Sequence, residues 1–530
     1  MIRLFHALYT GLVELPQQMR WTYLPPLMVY LAAGISGLTA IVGTFFIKDY
    51  LNLSAAFLAS LGFWAGLPWA LKMPLGHLVD LIWKHKSYMV VLGAMVIAAS
   101  LFIMYGLIDH TATMASLMPV ESWFVISVIL GPVGYVIQDV VADAMTVEAV
   151  PEKDDNGRPL AADQIKAMHT TMQTLGRFAI IGGTVLVSLA NVVLFADSDT
   201  LSTDDKIALY ADIYLYALLI PTLSVAGIAL ARWQKSGRPD AGIATQNTPD
   251  AVAVNWPILL GSLVFVIFSV GIGTTNIAFS QEIVFAGSVT IILYLMRRLI
   301  VVLDPSQQLM IVGTAIIVFV FRAMPSPGPG LTWFEIDALL FNEHFLSVLS
   351  LIAALLTLVG IVLLRPFMAQ NSIASIVVIL SIAGAVLFLP SIGMYYGLHH
   401  WTAAYTGGVV DAKFIAIVNT AVESPLGQVS MIPLLAWIAR NAPPHMKATF
   451  FAVFASFTNL ALSASALGTK YLNQVFVVTR EVKDKITGDI VTMADYSELG
   501  LLLITVLLIT LIVPVGAVMF IQQSRFRTSD

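Results

Sequence analysis

The chain has 530 residues, of which 58% are hydrophobic and only 11% charged, and its mean hydropathy is +0.86. A water-soluble fold of this size cannot hide so much apolar surface, so the composition predicts an integral membrane protein. The net charge of −5 is small and spread along the chain, which predicts no nucleic-acid partner. The absence of cysteine excludes disulfides, thiolate metal sites and cysteine catalysis.

Apolar segments of about 20 residues, the length that crosses a hydrocarbon core roughly 30 Å thick, recur along the chain. The predicted spans lie near 24–47, 53–72, 87–108, 122–147, 170–195, 210–233, 257–279, 282–303, 306–325, 343–364, 372–396, 411–438, 446–470 and 497–521. A polar linker, 234–255, follows the sixth span. Arg297 and Arg298 interrupt the segment 282–303, which leaves open whether that helix crosses completely.

The distribution of basic residues predicts an orientation. With the N-terminus in the cytoplasm, most of the 27 Lys and Arg fall on cytoplasmic segments. We therefore predict a protein of the inner cell membrane with both termini on the cytoplasmic side. The loop 326–343 lacks Lys and Arg, as an outside loop should. The loop 471–496 is the exception, because it carries Arg480, Lys483 and Lys485. The first 21 residues do not follow the order of a signal peptide.

The order of spans predicts two six-helix bundles with an extra central helix pair. We expect an N-terminal bundle at 1–233, a cytoplasmic linker with the two extra helices at 234–305, and a C-terminal bundle at 306–530. The fourth helix of the first half contains "QDVVADA" and that of the second contains "NTAVESPLGQ". Polar side chains at similar depth in both halves are what a transporter built from two repeats around a midplane cavity needs.

Carboxylates interrupt the fourth apolar span. Asp139 and Asp143 are four residues apart and share a helical face, whereas Glu148 points roughly the opposite way. A buried carboxylate costs at least about 2.5 kcal/mol at the bilayer centre unless it is paired, protonated or hydrated. Arg177 lies at similar depth on the next helix, which predicts an ion pair with the aspartates. This pair is either a fixed brace or a switch in transport, and Glu148 is predicted to lie at the interface.

Polar groups also interrupt the second half. Glu423 lies near the middle of its span, with Asn419 one turn before it and Gln428 beyond it. A midplane Glu can exchange a proton, so Glu423 is the best candidate for proton coupling. The alternative is that Glu423 is a neutral acid hydrogen-bonded in the core, and that Pro425 kinks its helix. Arg322, near the outer end of its helix, either snorkels or contacts an incoming anion.

The loop "PLGHLVDLIWKHKSY" joins the second and third spans. Gly76 permits close helix approach, Asp80 can cap or pair, and Lys84 and Lys86 hold the loop inside. This pattern is similar to the loop signature of the major facilitator superfamily, which works as a conformational latch. No metal or other cofactor is predicted, because histidine spacing and glycine-rich turns match no ligand or phosphate motif. Without a catalytic constellation, the chain is not predicted to be an enzyme.

Several segments together resemble the folate–biopterin transporter family of the major facilitator superfamily. They are "PWALKMPLGHLVD" (68–80), "QDVVADAMTVE" (138–148), "FRAMPSPGPGLTWFEID" (321–337) and "ESPLGQVSMIPLLAWIARNAPPHMKATFFAVFASFTNL" (423–460). The positions that match are Asp80, Asp139, Asp143, Glu148, Arg322, Pro325, Pro327, Gly328, Glu423, Gly427, Gln428 and Asn459. The resemblance implies a twelve-helix core that carries pterin-type or other conjugated organic anions by alternating access with protons. We also expect the protein to be a monomer in the lipid bilayer.

The sequence departs from this family at three places. Lys84-His85-Lys86 replaces an arginine-rich loop, Ser424 stands where a second acid is expected, and the central helix pair is additional. Muropeptide permeases, which carry cell-wall fragments, also resemble "QDVVADA", and a membrane assembly factor that does not transport is a further alternative. In the working hypothesis, Asp139, Asp143 and Arg177 line the cavity on one side, and Glu423 and Asn459 on the other.

Overall fold

The computed structural model describes residues 19–528 with gaps. The residues outside the description are 71, 73, 74, 76, 77, 80, 81, 83, 84, 152–157, 237–255, 274–276, 302, 430, 432, 433, 435–446 and 484–488, in addition to both chain ends. The described residues are almost entirely helical, with one short two-stranded hairpin. The predicted all-α membrane fold is therefore confirmed.

The helices and strands follow in chain order. They are α1 (Leu24–Gly34), α2 (Ala40–Tyr50), α3 (Ala55–Ala70), α4 (Lys86–Asp109), α5 (Thr111–Leu117), α6 (Val120–Ala149), α7 (Ala162–Leu194), α8 (Thr203–Tyr216), α9 (Leu219–Ser236), α10 (Trp256–Gly273), α11 (Ser280–Ile300), α12 (Pro305–Arg322), α13 (Pro329–Asp337), α14 (Glu343–Leu363), α15 (Arg365–Gln370), α16 (Ile373–Tyr395), α17 (Leu398–Tyr405), α18 (Ala412–Glu423), α19 (Lys447–Val475), β1 (Val482–Lys483), β2 (Ile490–Thr492) and α20 (Leu499–Gln523).

Nine helical stretches among the described residues are long and apolar enough to cross a membrane. They are Trp21–Tyr50, Lys86–Asp109, Val120–Thr146, Thr174–Leu194, Thr203–Gln234, Pro305–Arg322, Glu343–Leu363, Ile373–Tyr395 and Leu499–Gln523, and Ala55–Ala70 is a shorter apolar helix. The helix α11 has 21 residues, with Arg297 and Arg298 in its last turn, and is not one of the nine. The predicted total of about 14 spans stays a prediction.

The first span is not one regular helix. A 3₁₀ turn, Ile35–Thr39, separates α1 from α2. Within it, the hydroxyl of Ser36 donates a hydrogen bond of 2.7 Å to the carbonyl of Ala33. A 3₁₀ stretch in mid-helix has weaker hydrogen-bond geometry than an α-helix and often marks a hinge. The chain divides into two compact units at the end of this turn, between Ala40 and Ile41.

The first unit comprises residues 1–40 and 74–262. Its helices α4 and α6 cross backbone to backbone: a Cβ added to either Gly93 or Gly134 would lie 2.7 Å from the other residue's carbonyl oxygen. One turn beyond Gly134, the buried amide of Gln138 donates to the carbonyl of Val90 at 3.1 Å and accepts from the hydroxyl of Ser224 at 3.0 Å. Gln138 therefore joins α4, α6 and α9.

The second unit comprises residues 41–73 and 263–530. One of its core clusters includes Trp333, Phe334, Phe345, Leu499 and Leu503. The helix α3 packs along α19. The predicted domain limits at 233 and 305 follow chain order and stay a prediction.

The helix α11 of the predicted central pair packs against both α3 and α19. The amide of Gln281 donates to the carbonyl of Ser60 on α3 at 3.0 Å, and Glu282 accepts from the ammonium of Lys470 on α19 at 2.8 Å. Val284 lies in an apolar cluster with Phe63 of α3 and Leu467 of α19.

A ladder of polar side chains on α19 holds the loop that contains "PSPGPG". Ser465, Thr469 and Asn473 are spaced four residues apart and therefore share one helical face. Ser465 donates to the carbonyl of Met324 at 2.6 Å, Thr469 accepts from the amide of Ser326 at 3.0 Å, and Asn473 donates to the carbonyl of Pro327 at 3.1 Å. The prolines prevent this loop from forming a helix, so its backbone carbonyls and amides need other partners. The three side chains of α19 supply hydrogen bonds to some of them.

Candidate functional site

The acidic face of α6 meets a tyrosine that the sequence analysis did not single out. The phenol of Tyr30 on α1 donates a hydrogen bond of 2.6 Å to Asp143. Tyr30 is 6% exposed, and Asp139 and Asp143 are partly exposed. Both aspartates make further contacts. A short bond from a neutral donor to a carboxylate at this depth holds α1 to α6.

Arg177 lies near the same group, on the exposed side of α7. Asp139, Asp143 and Arg177 all interact electrostatically with the Tyr30 hydroxyl. The preceding residue, Gly176, makes room for the tyrosine, because a Cβ there would lie 2.8 Å from the ring. Among the described residues, Arg177 makes no ion pair, so the predicted bond to the aspartates is not formed in this state. The structure brings the predicted residues together around Tyr30 instead.

Glu148 is joined to a lysine that the sequence analysis placed in the latch. The ammonium of Lys86, at the start of α4, forms an ion pair with Glu148, near the end of α6. Lys86 is 6% exposed, so its charge is balanced within the protein. This pairing was missed because the two residues are 62 positions apart. The other latch residues, Gly76, Asp80 and Lys84, lie outside the described residues.

Arg322 is a candidate site cation of the second unit. It is partly buried at the end of α12, where its Nε donates to the carbonyl of Thr458 at 3.3 Å and its Nη1 lies 3.2 Å from the sulfur of Met431. Among the described residues, no carboxylate pairs with it. The guanidinium lines a small cavity with apolar walls that include Phe321 and Ile376. An arginine has five N–H donors, and most of those of Arg322 have no partner in the part of the chain that the structure describes.

Glu423 lies where α18 ends. A 3₁₀ turn, Ser424–Leu426, follows it, as expected of a helix interrupted by Pro425. The hydroxyl of Thr357 on α14 donates to the carbonyl of Ser424 at 3.1 Å and holds this turn. The side chain of Glu423 is exposed and has no hydrogen-bond partner among the described residues. Gln428 is partly buried two residues beyond the turn.

Asn459 contacts α3 within the second unit. Its amide donates to the carbonyl of Trp69 at 3.3 Å. This bond satisfies a carbonyl near the end of α3, where helix carbonyls lose their partners. The structure therefore gives Asn459 a part in joining α3 to α19. Within the described ranges, no three His, Asp or Glu side chains are placed to hold a metal ion.

A model of the BT1 family matches residues 33–529. Among curated proteins, the chain is similar to a protein named "Folate-biopterin transporter" from Synechocystis sp. (strain ATCC 27184 / PCC 6803 / Kazusa). The two are 21% identical over 445 residues, which cover 83% of this chain and 72% of the relative. Together these matches confirm the resemblance on which the sequence analysis relied.

Two transporters of known structure share this fold. The nucleoside transporter NupG has a TM-score of 0.53 at 12% identity and covers 94% of this chain and 99% of its own. A POT family transporter in complex with 5-aminolevulinic acid has a TM-score of 0.56 at 12% identity and covers 94% and 95%. At these identities the likeness concerns the fold, which is the predicted major facilitator type. The relatives are transporters and not enzymes, as predicted. The chain therefore belongs to the BT1 family of folate–biopterin transporters and is a multi-pass membrane transporter.

Proposed function

We propose that the protein is a secondary active transporter of a conjugated organic anion, folate-like or pterin-like, that works by alternating access and is coupled to protons. The name of the Synechocystis relative supports this substrate class, and the family match favours it over muropeptides. We further propose that the protein is a monomer in the inner membrane with both termini in the cytoplasm. Its proposed domains are an N-terminal bundle at 1–233, a linker with two extra helices at 234–305, and a C-terminal bundle at 306–530.

The observation that carries the proposal is Arg322. A guanidinium inside a membrane protein is costly unless an anion compensates it. Among the described residues, Arg322 binds only a carbonyl and a thioether sulfur. A carboxylate of the substrate would accept two parallel hydrogen bonds from the free edge of the guanidinium. The walls of the small cavity beside it are apolar, so the guanidinium is shielded on that side from competing polar groups.

The first unit contains a polar group of its own, to which we assign a part in proton coupling. The Tyr30 hydroxyl donates a hydrogen bond to Asp143, and Asp139 lies one turn away on the same face of α6. Protonation of an aspartate or an approach of Arg177 would change the number of charges around Tyr30. A site whose partners change in this way can couple proton binding to helix movement.

Glu423 is the proposed coupling residue of the second unit. It ends α18 next to a turn, lies exposed, and has no partner in the described part of the chain. Gln428 and Asn459 are proposed to flank it on the cavity side. A carboxylate at this depth can take a proton when the surrounding water is excluded.

Uptake by proteoliposomes tests the substrate. Labelled folate, biopterin and anhydro-muropeptide are compared side by side, with and without an imposed proton gradient. Folate or biopterin uptake that depends on the gradient is expected. Uptake of muropeptide alone would overturn the proposal.

A variant series tests Arg322. Arg322→Ala should raise the KM for the anion by at least about tenfold, equivalent to about 1.4 kcal/mol, and Arg322→Lys should recover part of this loss. Arg298→Ala is the matched control, because it removes the same charge from an exposed position. Arg298 contacts the Tyr294 ring, with its Cζ 5.4 Å from the ring centre. An unchanged KM in Arg322→Ala would remove this residue from the site.

A separate variant tests proton coupling. Glu423→Gln keeps the shape of the side chain but cannot ionise. We expect it to insert normally and to lose pH-dependent accumulation while it still exchanges substrate across the membrane. Wild-type accumulation by this variant under a proton gradient would remove Glu423 from the coupling mechanism.

A further inference from the structure

A buried arginine from a distant loop caps the C-terminal end of the first transmembrane span. Arg480 is 3% exposed and projects from the start of the hairpin that precedes α20. Its guanidinium donates to four carbonyls at and beyond the end of α2. The acceptors are Ile47 at 2.9 Å, Lys48 at 2.9 Å, Leu53 at 2.7 Å and Leu51. The last carbonyls of a helix have no partner within it, and a cation there also complements the helix dipole.

Other side chains hold this arginine in place. Its Cζ lies 4.0 Å from the centre of the Trp333 ring, which belongs to α13 and is 2% exposed. Trp333 therefore covers the guanidinium and adds a cation–π contact. Burial lowers the pKa of Arg480 to about 10, so it is still charged at neutral pH. Paired backbone hydrogen bonds between Thr479 and Asp495 close the hairpin beside it.

A second pair ties α2 to the same loops. The ammonium of Lys48 lies 2.5 Å from a carboxylate oxygen of Asp337, at the end of α13. The hydroxyl of Tyr496 donates to the other oxygen of that carboxylate. We call Lys48, Trp333, Asp337, Arg480 and Tyr496 the Arg480 clamp. All five belong to the second unit, and they join α2 to α13 and to the segment before α20.

The segment that the clamp holds begins at the 3₁₀ turn of the first span. The turn occupies Ile35–Thr39, and the boundary between the two units follows at Ala40 and Ile41. Before the turn, α1 carries Tyr30, which binds Asp143 in the first unit. One apolar span therefore has its two parts attached to different units, with a hinge-like turn between them.

We propose that residues 41–53 are a hinged gate segment and that Arg480 is the positioning residue that holds it closed. Movement about the turn Ile35–Thr39 opens the gate, and the Arg480 clamp must release in each transport cycle. Arg480 suits this task because its hydrogen bonds go to backbone carbonyls, which water can satisfy once the gate opens. The proposal depends on the protein being a transporter but not on which anion it carries.

Distance measurements test the clamp without a substrate. The chain has no cysteine, so two cysteines introduced at the exposed residues Asn52 and Leu340 are the only ones that take spin labels. Arg480→Lys and Asp337→Asn should each add a population with a longer label separation. Arg525→Lys is the matched control, because Arg525 lies over Phe526 at 5.0 Å but is exposed. Unchanged distances in whichever of the two clamp variants folds would overturn the proposal.

A disulfide tests whether release is required for transport. The hydroxyl of Thr492 lies 3.2 Å from the side-chain oxygen of Asn52, so Asn52→Cys/Thr492→Cys places two thiols across the edge of the gate. Oxidation should lower the uptake of labelled folate by at least about tenfold, and dithiothreitol should restore it. Single-cysteine proteins are the controls. Undiminished uptake by fully cross-linked protein would overturn the gate. If the protein without introduced cysteines takes up no folate, the proposed substrate fails, and the distance measurement still decides the clamp.

Discussion

The Tyr30 hydroxyl lies 2.6 Å from Asp143, a residue 113 positions later in the chain, and this bond joins the first and fourth spans. Tyr30→Phe removes the donor and leaves the carboxylate short of one partner. A lost hydrogen bond to a charged group costs about 1.5–3 kcal/mol, so we expect a lower melting temperature in detergent and slower uptake. Tyr105→Phe is the control, because Tyr105 binds Asp109 at 3.0 Å on an exposed surface. Equal effects of the two changes would contradict a special role for Tyr30.

The Lys86–Glu148 ion pair should behave as a unit. Lys86→Met removes one partner of the ion pair with Glu148, and breaking a buried pair costs about 3–5 kcal/mol. Replacing both residues with methionine removes both charges, so the double variant should regain a large part of the lost stability. A double-mutant cycle of thermal unfolding measures this coupling. Additive losses would show that the two side chains do not stabilise the fold through each other.

Two glycines of the first span should respond differently to alanine. A Cβ on Gly34 would lie 2.1 Å from the carbonyl oxygen of Ile180, whereas the nearest atom to a Cβ on Gly37, in Val187, is 3.9 Å away. Gly34→Ala should therefore reduce the yield of folded protein severely, and Gly37→Ala should fold. Because Gly37 lies in the 3₁₀ turn, its replacement should slow transport at normal expression. Size-exclusion profiles and uptake rates measure both effects; wild-type transport by Gly37→Ala would argue against hinge motion at this residue.

Glu335 should make stability depend on pH. Burial raises the pKa of this α13 carboxyl from 4.5 to about 7. The folded protein then binds the proton more tightly than the unfolded chain, so stability rises as the pH falls through about 7 and levels off near 4.5. Glu335→Gln should remove this rise. Melting temperatures between about pH 8 and about pH 5 measure it, with the exposed Glu498 replaced by Gln as control. A slope that persists in Glu335→Gln would assign it to another group.

Sequence patterns were sufficient where a property depends on local chemistry. Long apolar runs predicted the membrane helices, because hydrophobicity over a given length is a property of one segment. One of the two interpretations of Glu423 had Pro425 kink the helix 411–438, and in the structure α18 ends at Glu423, two residues before this proline. The motif-bearing segments also led to the correct family. In contrast, the 3₁₀ turn at Ile35–Thr39 has no proline to signal it.

Partnerships between distant side chains were harder to predict. Arg177 was expected to pair with the aspartates, but among the described residues it forms no ion pair, and Tyr30 donates to Asp143 instead. Arg480 was an exception to the predicted charge distribution. The structure explains its position, since its charge is enclosed by helix-end carbonyls and Trp333 and is not presented to the membrane surface.

By itself, the sequence determined that this protein is a helical membrane transporter of a particular family, because the length of apolar segments and the local motifs can be recognised without knowing how the helices pack. Only the tertiary structure decided which charges meet. An ion pair or a helix cap joins residues far apart in the chain, as Lys48 joins Asp337 and Arg480 caps α2, and its partner is selected by helix packing.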